Sequence, residues 1–152
     1  MSRVQLALNV DDIDEAIAFY SKLFATEPAK TKPGYANFAV DEPPLKLILI
    51  ENPGHGGSLN HLGVEVATTD EVTAATARLS GEGLATATED QVTCCYAVQD
   101  KVWVDDPNGA PWEIYTVLDD SDTPNGELRG AEPSCGPGRC DTTPEADVCC
   151  AE

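Results

Sequence analysis

Apolar residues alternate with other residues along Leu6-Ala7-Leu8-Asn9-Val10, and again along Leu62-Gly63-Val64-Glu65-Val66. A period of two predicts strands that bury one face. The two stretches are copies. A shift of 56 residues lays residues 4–10 on 60–66, and then Asp14 on Asp70, Glu15 on Glu71, Lys22 on Arg78 and Leu23 on Leu79. Each strand leads into an amphipathic helix that opens on a capping signature, Asp12-x-x-Glu15 or Thr68-x-x-Glu71. Such residues offer acceptors to the free amides and negative charge to the helix N-terminus. Further strands are predicted over 36–40 and 45–51 in the first copy. In the second they are predicted over 84–88, 95–98, 102–105 and 112–118. Gln99-Asp100 and Asp106-Pro107-Asn108-Gly109 read as turns, and Asn52-Pro53-Gly54-His55-Gly56-Gly57 as the linker between copies. The pattern predicts an α+β fold of two tandem βαβββ modules, about 3–51 and 60–118.

The pattern stops near residue 119. Residues 119–152 contain no aromatic side chain and carry nine Asp/Glu against Arg129 and Arg139, with four Pro and four Gly. That composition buries too little apolar surface to offset the entropy of ordering, so an acidic, disordered tail is expected after a folded domain of residues 1–118. Four of the six cysteines, Cys135, Cys140, Cys149 and Cys150, fall in it. A formal charge of -18 argues against nucleic acid and anionic membrane partners. No apolar stretch approaches the roughly 20 residues of a membrane span. The start at Met1-Ser2-Arg3 does not resemble an export signal, which points to a reducing cytoplasm where thiols bind metals or do chemistry.

Two candidate sites follow. Cys94 and Cys95 are adjacent, too close for an ordinary disulfide, but able to close two sulfurs on one soft, thiophilic atom. Regular strand geometry would point them to opposite faces, so joint use requires a loop or an irregular segment. The strand phase defines the second site. With Leu6, Leu8 and Val10 under a helix, Gln5, Ala7 and Asn9 take the opposite, concave face, as do His61, Gly63 and Glu65. Trp112 and Ile114 go under the helices, which leaves Glu113 and Tyr115 on the concave side. Gln5, His61 and Glu113 thus form a candidate ligand set for a divalent metal in an open, barrel-like cleft. A His-plus-carboxylate set with open positions suits non-haem Fe(II), while imidazole also serves Zn and Ni. Lys101 reads as an exposed strand-end residue, and His55 as incidental to its Gly-rich linker.

The duplicated strand–helix units, His61 opening the second, and Val102-Trp103-Val104-Asp105-Asp106-Pro107-Asn108-Gly109 with Trp112-Glu113 resemble the vicinal oxygen chelate superfamily. This superfamily includes glyoxalase I, extradiol dioxygenases and fosfomycin- and bleomycin-resistance proteins. Asn60-His61-Leu62-Gly63-Val64-Glu65 and the Thr93-Cys94-Cys95-Tyr96 stretch are similar to the ArsI/CadI group of organoarsenical carbon–arsenic lyases and cadmium-induced relatives. The resemblance implies Fe(II) on Gln5, His61 and Glu113, dioxygen as co-substrate, and a trivalent organoarsenical held by Cys94 and Cys95. Cleavage of the carbon–arsenic bond would release arsenite. Gln5 departs from the His of an extradiol set and is also seen in glyoxalase I. It keeps open a Zn(II) or Ni(II) isomerase or thiol transferase, and a non-enzymatic cadmium- or arsenic-binding protein is the third reading. The tail thiols could scavenge such ions. A homodimer is common among relatives and is decided by no residue here.

Overall fold

The computed structural model describes residues 2–123. Its elements run β1 (Arg3–Val10), α1 (Ile13–Phe24), β2 (Lys30–Lys32), β3 (Tyr35–Val40), β4 (Leu45–Glu51), β5 (Leu59–Glu65), α2 (Thr69–Gly81), β6 (Ala87–Cys94), β7 (Ala97–Asp105) and β8 (Pro111–Asp120). The order is βαβββ twice, an α+β fold. The compact units divide at Glu65/Val66, so β5, which opens the second repeat copy in sequence, packs with the first unit. The tail cysteines Cys135, Cys140, Cys149 and Cys150 lie outside the described residues.

In the first unit β1 is central. It pairs in parallel with β4, Val4 opposite Leu45, and antiparallel with β5, Val4 opposite Val64. Strand β3 lies on the far side of β4, and β2 lines its edge. This last strand, Lys-Thr-Lys, is too short and too polar to show as a pattern; its charges blunt an exposed edge. Leu6, Leu8 and Val10 pack with Ile13, Ala16, Ile17, Tyr20 and Phe24 of α1 over buried Phe38, Leu47 and Leu49. The helix contributes residues at spacings of three and four, the stripe that a 3.6-residue period presents to a sheet. Asp11 fixes the linker by accepting from the amides of Gly54 and Gly56, and a Cβ at Gly56 would sit 2.5 Å from its carboxylate.

In the second unit β7 lies between β6 and β8, antiparallel to both. Val72 and Leu79 of α2 pack with Val66, Val102, Val104 and Ile114. Both helix caps form. Asp12 accepts from the Glu15 amide at 2.8 Å, and Thr68 with Glu71 closes a full capping box. Thr68→Ala is expected to lower the unfolding free energy by about 1 kcal/mol, read from the urea midpoint at unchanged slope.

The strand boundaries here differ from the sequence pattern. Cys95 and Tyr96 form the turn, and β7 runs without a break through Gln99, Asp100 and Lys101. That polar run reads as a turn, but each member finds a hydrogen-bond partner in the fold. Asp100 accepts from the Thr69 hydroxyl and from the Gln91 amide at 2.8 Å. Lys101 donates to Glu113 at 2.8 Å, and Gln99 reaches the Cys94 carbonyl at 3.4 Å. Partnered polar groups do not interrupt a strand.

Candidate metal and thiol sites

Gln5 lies on β1 and His61 on β5, and their Nε2 atoms are 3.0 Å apart in a buried pair. His61 pairs across the ladder with Ala7, Gln5 with Gly63, so the small neighbours leave room for the two polar side chains. The ladder then slips: Leu8 pairs with Leu59, and Asn60 is the extra residue of a bulge. A bulge re-aims a side chain. Here it brings Asn60 Oδ1 to 2.8 Å from His61 Nδ1, although the two are sequence neighbours.

The hydrogen bonds around Asn60 are directional. Ser58 donates to the His55 carbonyl, Asn9 Nδ2 to Ser58 Oγ, and Asn60 Nδ2 to Asn9 Oδ1 at 3.0 Å. With the Asn60 amide nitrogen already committed, its oxygen faces His61 and accepts from Nδ1–H. This fixes the tautomer that leaves a lone pair on Nε2, the state a metal-bound imidazole needs. Gln5 Nε2–H meets that lone pair. A half-turn of the amide exchanges its nitrogen and oxygen, so Gln5 can present an oxygen beside the same point. The donor set of the first unit therefore fits a divalent cation.

Glu65, on the same strand as His61, is committed elsewhere. It accepts from Arg3 and from Lys46 at 3.4 Å. Burial alone would push its carboxyl up, but the Arg3 hydrogen bond and the charges of Lys46 and Arg3 hold it below its usual 4.5. The folded state therefore binds this proton more weakly than the unfolded chain does. The stability Glu65 contributes is present above pH 4.5 and is lost as pH falls through the lowered folded value. Urea midpoints of the wild type and Glu65→Gln should differ at pH 7 and converge on acidification. A gap independent of pH would sink this assignment.

In the second unit the β6–β7 hairpin turns on Cys95 and Tyr96, with φ of 55° and 62°. Positive φ at both central residues is the requirement of the two-residue I′ hairpin turn, normally met by Asn-Gly. For residues with a Cβ the conformation costs about 1–2 kcal/mol each. The turn breaks strand alternation between Cys94 and Cys95 and leaves their sulfurs 3.3 Å apart. Both are free thiols, Cys94 buried and Cys95 partly so. The Cys94 hydrogen bond, then burial and the neighbouring Cys94 charge, hold the Cys95 thiol well above its usual 9.0, against a downward pull from Lys101. Cys95 therefore rests protonated at neutral pH, and a thiophilic ligand must displace that proton.

Lys101 corrects the expectation of an exposed strand end: it is 1% exposed and bonded to Glu113, itself 2% exposed. Burial alone would push the ammonium down. The Glu113 charge, with smaller contributions from Cys94 and Cys95, outweighs it and holds Lys101 well above its usual 10.5. Trp103 lies beneath, its ring centroid 5.2 Å from Nζ. The period-two run Gln99, Lys101, Trp103 was the available signal for this buried face. Asn60 had none, since a bulge leaves no mark on the pattern. His55 acts through its backbone: its amide donates to the Asn52 carbonyl and its carbonyl accepts from Ser58. Among the described residues no three His, Cys, Asp or Glu side chains gather as a metal cage. Gln5, His61 and Glu113 include only two residues of those types.

The sequence model of the Glyoxalase/Bleomycin resistance protein/Dioxygenase superfamily matches residues 3–114. The cadmium-induced protein CadI of Mycobacterium bovis is 59% identical over 150 residues, 99% of this chain and 93% of CadI. The trivalent organoarsenical cleaving enzyme of Thermomonospora curvata is 60% identical over 124 residues, covering 81% of this chain and 82% of that enzyme. Among solved structures, the Mn(II)-bound glyoxalase of Novosphingobium aromaticivorans shares the fold, with a TM-score of 0.58 at 20% identity over 85% of this chain and 44% of that one. No helix among the described residues is long and apolar enough to cross a membrane.

Proposed function

The chain belongs to the glyoxalase/bleomycin resistance protein/dioxygenase superfamily, and from that premise we propose that it is an Fe(II)-dependent lyase that breaks the carbon–arsenic bond of trivalent organoarsenicals in the cytoplasm. The observation that carries the reading is the Cys95-Tyr96 turn, which sets two thiols 3.3 Å apart. The likeness to the organoarsenical cleaving enzyme of Thermomonospora curvata supports it.

In this reading Cys94 and Cys95 bind methylarsenite by exchange. Each sulfur–arsenic bond forms as an arsenic–oxygen bond breaks, and the thiol proton leaves with the hydroxide as water. Gln5, His61 and Glu113 are the metal ligands: an amide oxygen, the Nε2 lone pair set by Asn60, and a carboxylate. A ferrous ion held there supplies the activation of dioxygen that the reaction needs. Lys101 pairs with Glu113 and places a positive charge by the thiols. Methylarsenite and one dioxygen balance one arsenite and one formaldehyde, with arsenic trivalent throughout.

The test is aerobic incubation with methylarsenite after loading with Fe(II), Ni(II), Zn(II) or no metal, with arsenite and formaldehyde measured. Equal amounts of both with Fe(II) are expected. Metal-loaded protein that binds the arsenical and releases neither product would point to a thiol-based binding protein instead.

A further inference from the structure

Gln99 has one half of its side chain employed and the other unused. It is 4% exposed, and its Nε2 donates to the Cys94 carbonyl at 3.4 Å. Its Oε1 is shielded from solvent and has no hydrogen-bond partner; the only other such side-chain atom among the described residues is Asn37 Oδ1, on β3 of the first unit. The Cys94 carbonyl fixes the amide's orientation, because a turned amide would set oxygen against oxygen. Gln99 stands opposite Val92 in the hairpin, as Ala97 does opposite Cys94, and cross-strand partners share a face. The acceptor therefore belongs to the face that carries Cys94 and Lys101. A buried acceptor without a donor costs stability, and such a group in a native structure calls for an explanation.

The explanation lies in the third substituent of arsenic. Two thiols take two of the three positions on trivalent arsenic. Methylarsenite bound in this way keeps its methyl group, which donates nothing. Arsenite loses two hydroxyls as water, as the two thiol protons leave with them, and keeps one As–O–H. We propose that Gln99 Oε1 accepts the hydrogen bond of this arsenic-bound hydroxyl. The proposal rests on the dithiol reading above and adds a preference: the site favours arsenic that still carries a hydroxyl. Gln99 would thus hold both the product and the substrate at the stage when only one thiol has exchanged. Before turnover ends, the same contact would set how long arsenite stays.

Binding without turnover tests this. Dissociation constants for arsenite and methylarsenite are measured by anaerobic titration calorimetry with no added metal. The protein is the full chain with C135S, C140S, C149S and C150S, so that tail thiols do not contribute. Gln99→Met keeps the length and removes both polar atoms. It is expected to weaken arsenite about tenfold and to leave methylarsenite within about twofold. Gln99→Glu loses the donor but keeps an acceptor, and should retain the wild-type ratio of the two affinities even where both weaken. Equal loss for both ligands in Gln99→Met would mean that Gln99 only props the Cys94 carbonyl, and would overturn the proposal. So would no change for either ligand. If the chain with native Gln99 binds neither ligand at one arsenic per protein, the dithiol reading itself fails, and this inference with it.

Discussion

Cys95→Ser is expected to cut the turnover of dilute methylarsenite by about 10²–10⁴-fold, the advantage that a second linked contact gives over a single one. The sulfurs of Cys94 and Cys95 are already 3.3 Å apart, so the second exchange needs little rearrangement after the first. A serine oxygen has the same reach and no affinity for a soft atom. Cys94→Ser should behave alike, because the two sulfurs act as a pair. Iron content measured beside the rate separates two causes of inactivity. Retained iron with lost turnover fits a separate thiol site. Loss of iron together with activity would mean that the cysteines hold the metal, and the division of labour proposed here would be wrong.

Lys101→Met should destabilise the protein by about 3–5 kcal/mol, the cost of leaving a buried charge without its partner. The side chain it replaces is nearly fully buried, and Glu113 would stay buried with it gone. Methionine fills much of the same volume, so a cavity does not account for the loss. Lys101→Met combined with Glu113→Gln should recover part of the stability, since no uncompensated charge remains. The metal reading adds a further expectation. If Glu113 is a ligand, a bound divalent cation compensates its charge, and saturating metal should narrow the gap between wild type and Lys101→Met in urea. An unchanged gap, with metal binding verified, would remove Glu113 from the ligand set.

The strand–helix units were legible because both rely on short-range signals. Alternation in residues 6–10 and 62–66 and the two caps are local, and the 56-residue repeat reinforced each copy with the other. The hairpin was not legible. Its turn residues, Cys95 and Tyr96, carry no Gly or Asn to announce positive φ, and the polar run at 99–101 imitated a turn a few residues downstream. Only tertiary partners, Thr69, Gln91 and Glu113, make that run a buried strand. The candidate ligand set is a sequence expectation, of which the structure sets Gln5 beside His61. Residue types and strand phase picked out Gln5, His61 and Glu113. The bulge that sets the histidine tautomer and the lysine beside Glu113 depend on contacts distant in sequence, or on a slip of one residue.

The offset between repeat and compact unit has a consequence for synthesis. The first repeat copy ends with β4, but the first unit closes only when β5 covers the second edge of β1. A nascent chain released up to the linker holds a complete copy with an unsatisfied strand edge. The same holds for a fragment cut at Gly56-Gly57: one piece keeps β1 with a bare side, and the other carries β5 without its β1 ladder. Mixed in solution, they should re-form the β1–β5 ladder between separate chains, and the same exchange between two intact copies would be the route to a swapped pair.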